Sequence, residues 1–373
     1  MLLYLAVFSI CLLIAQIADN YKQHKIYWGF LGILVLFLSY FSGVRDLQVG
    51  IDTQIYIPSY WSESNAQNFT SFLKILEETE RDKGFLALDF VAHAFGGQLW
   101  ISLFFISLFI YGVAFIAGGL FAKEYKFNFT YFVFFYLFVF FNTTMNHMRQ
   151  QCAVSLLMLT LYLLMKRHYI FSLLIFLLST TFHSSAIAAV GIPIIYFINY
   201  SARARKSKKV IIIFIFLIIL ISTQYYYQIA TFLSANDIIY EVYADRYGKD
   251  SEFEGSSFIS IPKIIYLFMP FLFYLNGKNR GSLNQKDFTF FSSIQILFLV
   301  TYSLKFISIF LFRLAYYYQF IQFIACSKII TDKRSEKVWN VIYMGYIVLL
   351  WYYEYIFHGY HGTYPYTSRI LGL

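Results

Sequence analysis

The most constraining feature of the chain is a series of apolar runs, each close to the length that crosses a lipid bilayer. About 20 helical residues span a hydrocarbon core about 30 Å thick. Backbone groups inside lipid must be satisfied within their own segment, so such runs are expected to fold as helices. About 12 spans are predicted, at 2–18, 27–43, 99–121, 127–141, 150–165, 169–183, 184–200, 210–230, 261–275, 288–306, 311–329 and 338–357.

Composition agrees with this fold class. Of the 373 residues, 59% are hydrophobic and 13% are charged, whereas a soluble domain carries about 25% charged residues. We therefore predict an all-α polytopic integral membrane protein with about 12 transmembrane helices; several runs are short, which sets a range of roughly 10–13. No internal repeat, linker or low-complexity tract divides the sequence, so residues 1–373 are predicted to form a single transmembrane domain.

Loop charge predicts the orientation, because short cytoplasmic loops are enriched in Lys and Arg. This rule places both termini outside and also places two long polar segments, 44–98 and 231–260, on the outer side. Within 44–98 we predict a short amphipathic helix around 69–76 and a re-entrant stretch at 85–97. The basic residues predicted to face the cytoplasm are Lys22, Lys25, Lys123, Lys126, Lys166, Arg167, Arg203, Arg205, Lys206, Lys208, Lys209, Lys278, Arg280, Lys286, Lys328, Lys333, Arg334 and Lys337.

The sequence lacks the signals that are typical of several classes of function. The net charge of +9 is scattered over short loops rather than collected on one face, so no nucleic-acid partner is predicted. The three cysteines lie far apart in apolar stretches, and no metal-ligand spacing is present. There is also no Gly-rich phosphate loop and no Gly-x-Ser-x-Gly elbow. The prediction is therefore a protein without cofactor or metal that is neither an ATP-driven pump nor a serine hydrolase.

Polar groups collect at the outer ends of predicted spans, in the runs 43–56, 148–151 and 182–186. Ionisable groups at a membrane are costly and are usually functional. All three runs fall on the same side in the predicted topology. Their convergence indicates an active site on the outer face.

The chemistry of these runs suits a lipid-linked pyrophosphate. Arginine holds phosphate oxygens bidentately and stays charged when partly desolvated, which makes Arg45 and Arg149 candidate phosphate ligands. Asp52 and His183 are alternative general bases, because either would have to reach the attacking hydroxyl. Tyr56 lies on a polar face that suits a sugar.

Further candidates lie beside these runs and later in the chain. Gln150 directly follows Arg149. Arg313 lies four residues before Tyr317, and Arg369 lies near the C-terminus. The alternative interpretation is structural: each arginine pairs with a nearby acid or reaches lipid headgroups, and His183 caps a helix.

The polar runs also resemble a known family. Arg45, Gly50, Asp52, Thr53 and Tyr56 are similar to the R-x-x-x-x-G-x-D-T-x-x-Y signature of the EpsG family, with Ile51 where many relatives carry Thr. Landmarks in the same order resemble that family as far as residue 369; they are Arg149-Gln150 with Ala153, His183-Ser184-Ser185-Ala186, Arg313 with Tyr317, and Tyr364-Pro365-Tyr366 near Arg369.

The resemblance implies a Wzy-type polymerase of O-antigen, capsule or exopolysaccharide in the bacterial inner membrane. Such an enzyme transfers the growing glycan from undecaprenyl pyrophosphate onto the non-reducing end of a new lipid-linked repeat unit, at the periplasmic face. Its implied partners are lipid-linked donor and acceptor, the bilayer and a separate chain-length regulator. The implied site has Arg149, Arg45 and Arg313 on the pyrophosphates, Asp52 or His183 as base, and Gln150, Tyr56, Tyr317 and Arg369 as further substrate contacts.

Two other functions fit part of the sequence. A flippase for the same lipid-linked oligosaccharide would also have about 12 spans, but it would be expected to show a twofold hydropathy repeat. None is visible in the sequence. A ligase-like transferase would also use arginines and histidine at the outer face, and only the order of the motifs argues against it.

Overall fold

The computed structural model describes residues 1–200, 259–306 and 311–373. The chain divides into two compact units: Met1–His183 with Cys326–Leu373, and Ser184–Ala325. The predicted single domain over residues 1–373 stays a prediction. The predicted span at 210–230 and most of the predicted outer segment at 231–260 lie outside the described residues.

The first unit contains most of the described helices. They are α1 (Leu2–Asn20), α2 (Ile26–Gly43), α3 (Ile51–Glu63), α4 (Phe69–Glu78), α5 (Lys83–His93), α6 (Leu99–Glu124), α7 (Phe129–Phe135), α8 (Phe141–Asn146), α9 (Met148–Met165) and α10 (Tyr169–Phe182). A π-helical turn, Tyr136–Phe140, joins α7 to α8.

The second unit opens with a 3-10 segment, Ser184–Val190, that leads into α11 (Gly191–Tyr200). Its other described elements are α12 (Ile261–Asn279), α13 (Gln285–Ser303), the 3-10 segments Leu304–Phe306 and Leu311–Ala315, and α14 (Tyr316–Gln319). The chain returns to the first unit within α15 (Ile321–Thr331), followed by α16 (Lys337–Trp351), a π-helical segment Tyr352–Phe357 and the 3-10 turn Tyr360–Gly362.

The helices confirm a multi-pass membrane protein. Within the described ranges, six helical segments are long and apolar enough to cross a bilayer: Leu2–Asn20, Ile26–Gly43, Leu99–Glu124, Phe129–Asn146, Met148–Met165 and Gln285–Phe306. Tyr169–Phe182 and Ser184–Tyr200 are shorter apolar helices. The all-helical class is therefore confirmed for the described residues, while the number of about 12 spans stays a prediction.

Aromatic rings form much of the core of the first unit. The Phe8 ring lies 5.2 Å from Phe141 and 5.6 Å from Trp351, and Phe41 stacks on Tyr366 at 4.3 Å. Aromatic pairs of this kind add about 0.5–1.5 kcal/mol each beyond the area they bury. The high aromatic content therefore serves packing between helices.

One end of the first unit collects its basic loops. The Asp19 carboxylate accepts hydrogen bonds from the Phe129 and Thr130 backbone N–H groups, both at 2.8 Å, and so caps the start of α7. Lys166 pairs with Glu124 at 3.0 Å. These contacts bring together the loops after α1, α6 and α9. In this unit the loops predicted to be cytoplasmic share one end; which side of the membrane they face stays a prediction.

The segment 44–98 lies at the opposite end and is folded into α3, α4 and α5. The predicted amphipathic helix is confirmed as α4, which begins where the Asn68 side chain accepts the Ser71 N–H at 2.9 Å. Phe72 of α4 stacks on Phe90 of α5 at 4.1 Å. The stretch predicted to be re-entrant is largely helix α5, and its relation to the membrane stays a prediction.

Candidate active site

The glycine of the first polar run is required by its geometry. Gly50 has a φ of +105°, and a β-carbon there would lie 2.6 Å from both the Met145 carbonyl oxygen and Thr53 Oγ1. Its N–H donates to the Gly362 carbonyl at 2.8 Å. We call residues 43–50 the motif turn. Because the turn passes so close to the end of α8, only glycine fits at this position.

Arg45 is buried within the motif turn, with 3% of the residue exposed. Its guanidinium donates to the carbonyls of Val49 (3.2 Å), Met145 (3.0 Å) and Ser42. Burial lowers the pKa of this guanidinium, although arginine stays charged in proteins. Contact with a pyrophosphate stays a prediction for Arg45, and the geometry favours a role in holding the turn against α8.

Asp52 is the second residue of α3 and lies beside the end of α8. Its backbone N–H donates to Asn146 Oδ1 at 2.7 Å, and its carboxylate Oδ2 lies 3.9 Å from His147 Nε2. The carboxylate lies in the first turn of the helix, where the helix dipole favours negative charge. Thr53, the next residue, donates through Oγ1 to the Met145 carbonyl at 2.8 Å. Asp52 therefore has a fixed backbone and a carboxylate that faces an imidazole.

Arg149, in the first turn of α9, forms an ion pair. Its Nη1 lies 2.8 Å from Asp82 Oδ2 and 3.0 Å from the Tyr60 hydroxyl, to which it donates. Its guanidinium carbon lies 4.0 Å from the centre of the Tyr56 ring. The Arg149 side chain is 18% exposed and that of Asp82 is 6% exposed. Arg149 therefore has the acidic partner that the structural alternative requires, and its role in catalysis stays a prediction.

Asp52 and the two tyrosines that contact Arg149 lie on one face of α3. Asp52, Tyr56 and Tyr60 follow at intervals of four residues, which places their side chains one helical turn apart on the same side. We call these three residues the α3 face. It extends about 12 Å along the helix from the carboxylate at Asp52 to the guanidinium of Arg149 above Tyr56 and Tyr60. Burial raises the pKa of Tyr60 to about 12, so its hydroxyl stays protonated near neutral pH.

His183 ends α10 at the same end of the first unit. Its backbone N–H donates to the Ser179 carbonyl at 3.3 Å. The last turn of α10 packs against the start of α5, since a β-carbon at Gly84 would lie 2.6 Å from Thr181 Oγ1. Gly84 is two residues from Asp82, the partner of Arg149. His183 therefore lies two residues after Thr181, which packs near the Arg149–Asp82 ion pair.

The other predicted site residues are distributed differently. Gln150 is buried in α9. Arg313 and Tyr317 belong to the second unit, where the Tyr317 hydroxyl lies 2.8 Å from Ser185 Oγ. The Arg369 side chain is exposed, and its backbone N–H donates to Asp46 Oδ1 at 3.0 Å. The structure therefore brings Arg45, Asp52, Tyr56 and Arg149 together within one unit.

Five residues of this site were not predicted from the sequence. Asp82 and Tyr60 hold Arg149, Asn146 and His147 contact Asp52, and the His361 ring centre lies 4.6 Å from that of His147. His147 lies two residues before Arg149, and that proximity was a usable signal. Asp82 and His361 are remote in sequence and gave none.

These observations define a class: a multi-pass membrane protein with a carboxylate, an arginine and histidines gathered at the end of a helix bundle. Within the described residues, no group of three or more His, Cys, Asp or Glu side chains is arranged to hold a metal ion. A protein-family model described as the EpsG family matches residues 28–368, nearly the whole chain. The protein belongs to the EpsG family, a family of Wzy-type polymerases. No curated protein and no solved structure matches it.

Proposed function

We propose that the protein is a polysaccharide polymerase of the bacterial inner membrane, with its active site on the α3 face at the periplasmic side. Its substrates would be a growing glycan on undecaprenyl pyrophosphate and a new lipid-linked repeat unit. The family suggests a polymerase-type function. The charge of the loops after α1, α6 and α9 supports the orientation, because Arg149 lies at the opposite end of the first unit from them.

The reaction needs two kinds of help from the protein. A hydroxyl of the acceptor sugar attacks the anomeric carbon of the donor, the bond to the pyrophosphate oxygen breaks, and the hydroxyl proton moves to a base. Charge therefore develops on the leaving pyrophosphate, where fixed positive groups lower the barrier most. We propose Asp52 as the base, with His183 as the other candidate, and Arg149 as the group that stabilises the leaving pyrophosphate.

One observation carries this assignment: Asp52 and the ring that supports Arg149 lie on the same face of a short helix, one turn apart. A base on α3 and a cation from α9 that lies against the next turn of α3 are well placed to act on the two ends of one bond. Asp82 and Tyr60 hold the guanidinium in place. Tyr56, beneath it, also offers a ring surface to a sugar.

The first test is an electrophoretic ladder of surface polysaccharide from a strain that lacks the gene. A polymerase defect leaves a single repeat unit on the lipid core and removes all longer chains. That result would support the proposal and exclude export and ligation as the primary function. Loss of every repeat, including the first, would overturn the proposal in favour of a flippase or a ligase. Restoring the gene should restore the ladder.

A further inference from the structure

The C-terminal tail, residues 358–373, is bound along the motif turn. Four hydrogen bonds join the two segments: from the Gly50 N–H to the Gly362 carbonyl (2.8 Å), from the Asp46 N–H to the Thr367 carbonyl (3.0 Å), from the Ser368 hydroxyl to the Val44 carbonyl (2.5 Å), and from the Arg369 N–H to Asp46 Oδ1 (3.0 Å). A fifth, from the Tyr366 hydroxyl, reaches the Phe41 carbonyl near the end of α2 (2.6 Å). A segment more than 300 residues away in sequence therefore forms one wall of the turn that precedes α3.

This tail carries His361 in a constrained position. Its φ is +68°, a left-handed conformation that few residues with a β-carbon adopt, although histidine does so more often than most. Its ring stacks on Tyr355 at 5.7 Å and meets the His147 ring edge-on at 4.6 Å. The surrounding structure thus holds an imidazole beside the histidine that faces Asp52.

The Asn146 side chain connects His361 to Asp52. Its amide oxygen accepts the Asp52 backbone N–H at 2.7 Å, so its amide nitrogen is the atom that lies 3.1 Å from His361 Nδ1. An amide nitrogen only donates, so His361 Nδ1 must accept this hydrogen bond. His361 therefore orients the Asn146 amide, and that amide holds the first turn of α3.

We propose that His361 is a positioning residue for Asp52. It acts through Asn146 on the backbone of Asp52, and through its ring contact on His147, which faces the Asp52 carboxylate. The inference rests on the proposed function, in which Asp52 receives the proton of the acceptor hydroxyl. Without the acceptor at Nδ1, the Asn146 amide loses the partner that sets its orientation. A misplacement of about 1 Å at a reacting group can cost about 100-fold in rate.

Two substitutions separate this role from simple packing. Both glycine and asparagine adopt a positive φ readily, so His361→Gly and His361→Asn suit the backbone of the tail. The glycine variant removes the acceptor. The asparagine variant keeps a side-chain oxygen close to the position of Nδ1, where it can accept from Asn146. The two variants therefore differ in whether they offer a hydrogen-bond acceptor to Asn146, while both fit the positive φ at this position.

The assay would use the purified full-length protein with lipid-linked repeat units isolated from a strain that lacks the gene, and would follow chain length on gels. We expect His361→Gly to lower kcat by roughly 10- to 100-fold, with KM within about twofold of the natural protein. Its melting temperature in detergent should be unchanged. The His361→Asn variant should recover most of the lost rate.

Three results would overturn the inference: a glycine variant as fast as the natural protein, an asparagine variant as slow as the glycine variant, or loss of folded protein in both. The activity of the natural protein in the same assay distinguishes these outcomes from failure of the proposed function. If it does not lengthen the repeat units at all, the proposed polymerase function is rejected. If it does and His361→Gly is equally fast, only the role of His361 is rejected.

Discussion

The motif turn and the start of α9 each contain one arginine, and the two arginines are held in different ways. Arg45 is almost fully buried and donates mainly to main-chain carbonyls, whereas Arg149 is partly exposed, pairs with a carboxylate and lies above an aromatic ring. A guanidinium bound to carbonyls ties backbone segments together. A guanidinium that is bound to a carboxylate and partly exposed has a fixed orientation and can still contact a substrate. The partners, and not the residue type, distinguish structure from chemistry.

The largest effect that would test this comparison is expected at Arg45. Its replacement by alanine removes the guanidinium donor from the carbonyls of Ser42, Val49 and Met145 in a buried region, where only Met145 keeps a second side-chain donor, Thr53. Each lost partner costs about 1–3 kcal/mol, so Arg45→Ala should remove most folded protein from the membrane. Thermal unfolding in detergent and protein abundance would measure this. A variant that melts normally but makes no polymer would instead place Arg45 in the chemistry.

At Arg149 we expect loss of activity in a protein that still folds. Arg149→Lys keeps a positive charge beside Asp82 but removes the planar fork, so polymerisation should fall by roughly 100- to 1,000-fold. Chain length on gels and abundance in membranes would be measured together. Normal chain length in the lysine variant would refute the bidentate role.

A matched control is needed for Arg149→Ala, because that change strands the Asp82 carboxylate. The double variant Arg149→Ala with Asp82→Asn removes both charges. If it regains the stability of the natural protein but stays inactive, the loss in the single variant belongs to the chemistry. Recovery of activity would mean that the arginine serves only to neutralise Asp82.

A second comparison concerns two acids, Asp82 just before α5 and Asp89 within it. Asp82 pairs with Arg149, whereas Asp89 is fully buried and accepts a hydrogen bond from Ser102 Oγ. Burial raises the pKa of Asp89 from 3.8 to about 7. The folded state therefore binds this proton more tightly than the unfolded state. The resulting stabilisation is complete below the unfolded pKa and is lost as pH rises towards about 7.

Asp89→Asn should remove that dependence. We expect the melting temperature of the natural protein to fall between about pH 4 and pH 7, with a change of a few kcal/mol in the free energy of unfolding. The asparagine variant should show a flatter profile, because its amide stays neutral. Parallel slopes in the two proteins would show that Asp89 does not titrate in this range.

The smallest effect is expected at Ser185, in the second unit. Its hydroxyl lies 2.8 Å from that of Tyr317, and loss of one such hydrogen bond costs about 0.5–1.5 kcal/mol. Ser185→Ala should therefore leave polymer length unchanged and lower the melting temperature slightly. A complete loss of polymer would move the site towards the second unit and weaken the case for the α3 face.

Several features were accessible from the sequence for local reasons. Long apolar runs leave the backbone no alternative to helix in lipid, and the helices α1, α2, α6 and α9 start or end within a few residues of the predicted spans. The glycine and aspartate of the first polar run were also visible, because a sharp turn and a helix start make local demands. The number of spans was less accessible, since several helices are shorter or more irregular than an ideal span.

The sequence by itself determined the class of protein, its helical spans and the polar runs from which a site is built, because hydropathy and charge act on each segment independently. Only the tertiary structure decided which polar groups meet. Arg149 pairs with Asp82, and Asp52 contacts Asn146 and His147. The C-terminal tail places His361 beside Asn146 and His147. These partners are far apart along the chain, and no local pattern encodes a contact made by packing one helix end against another.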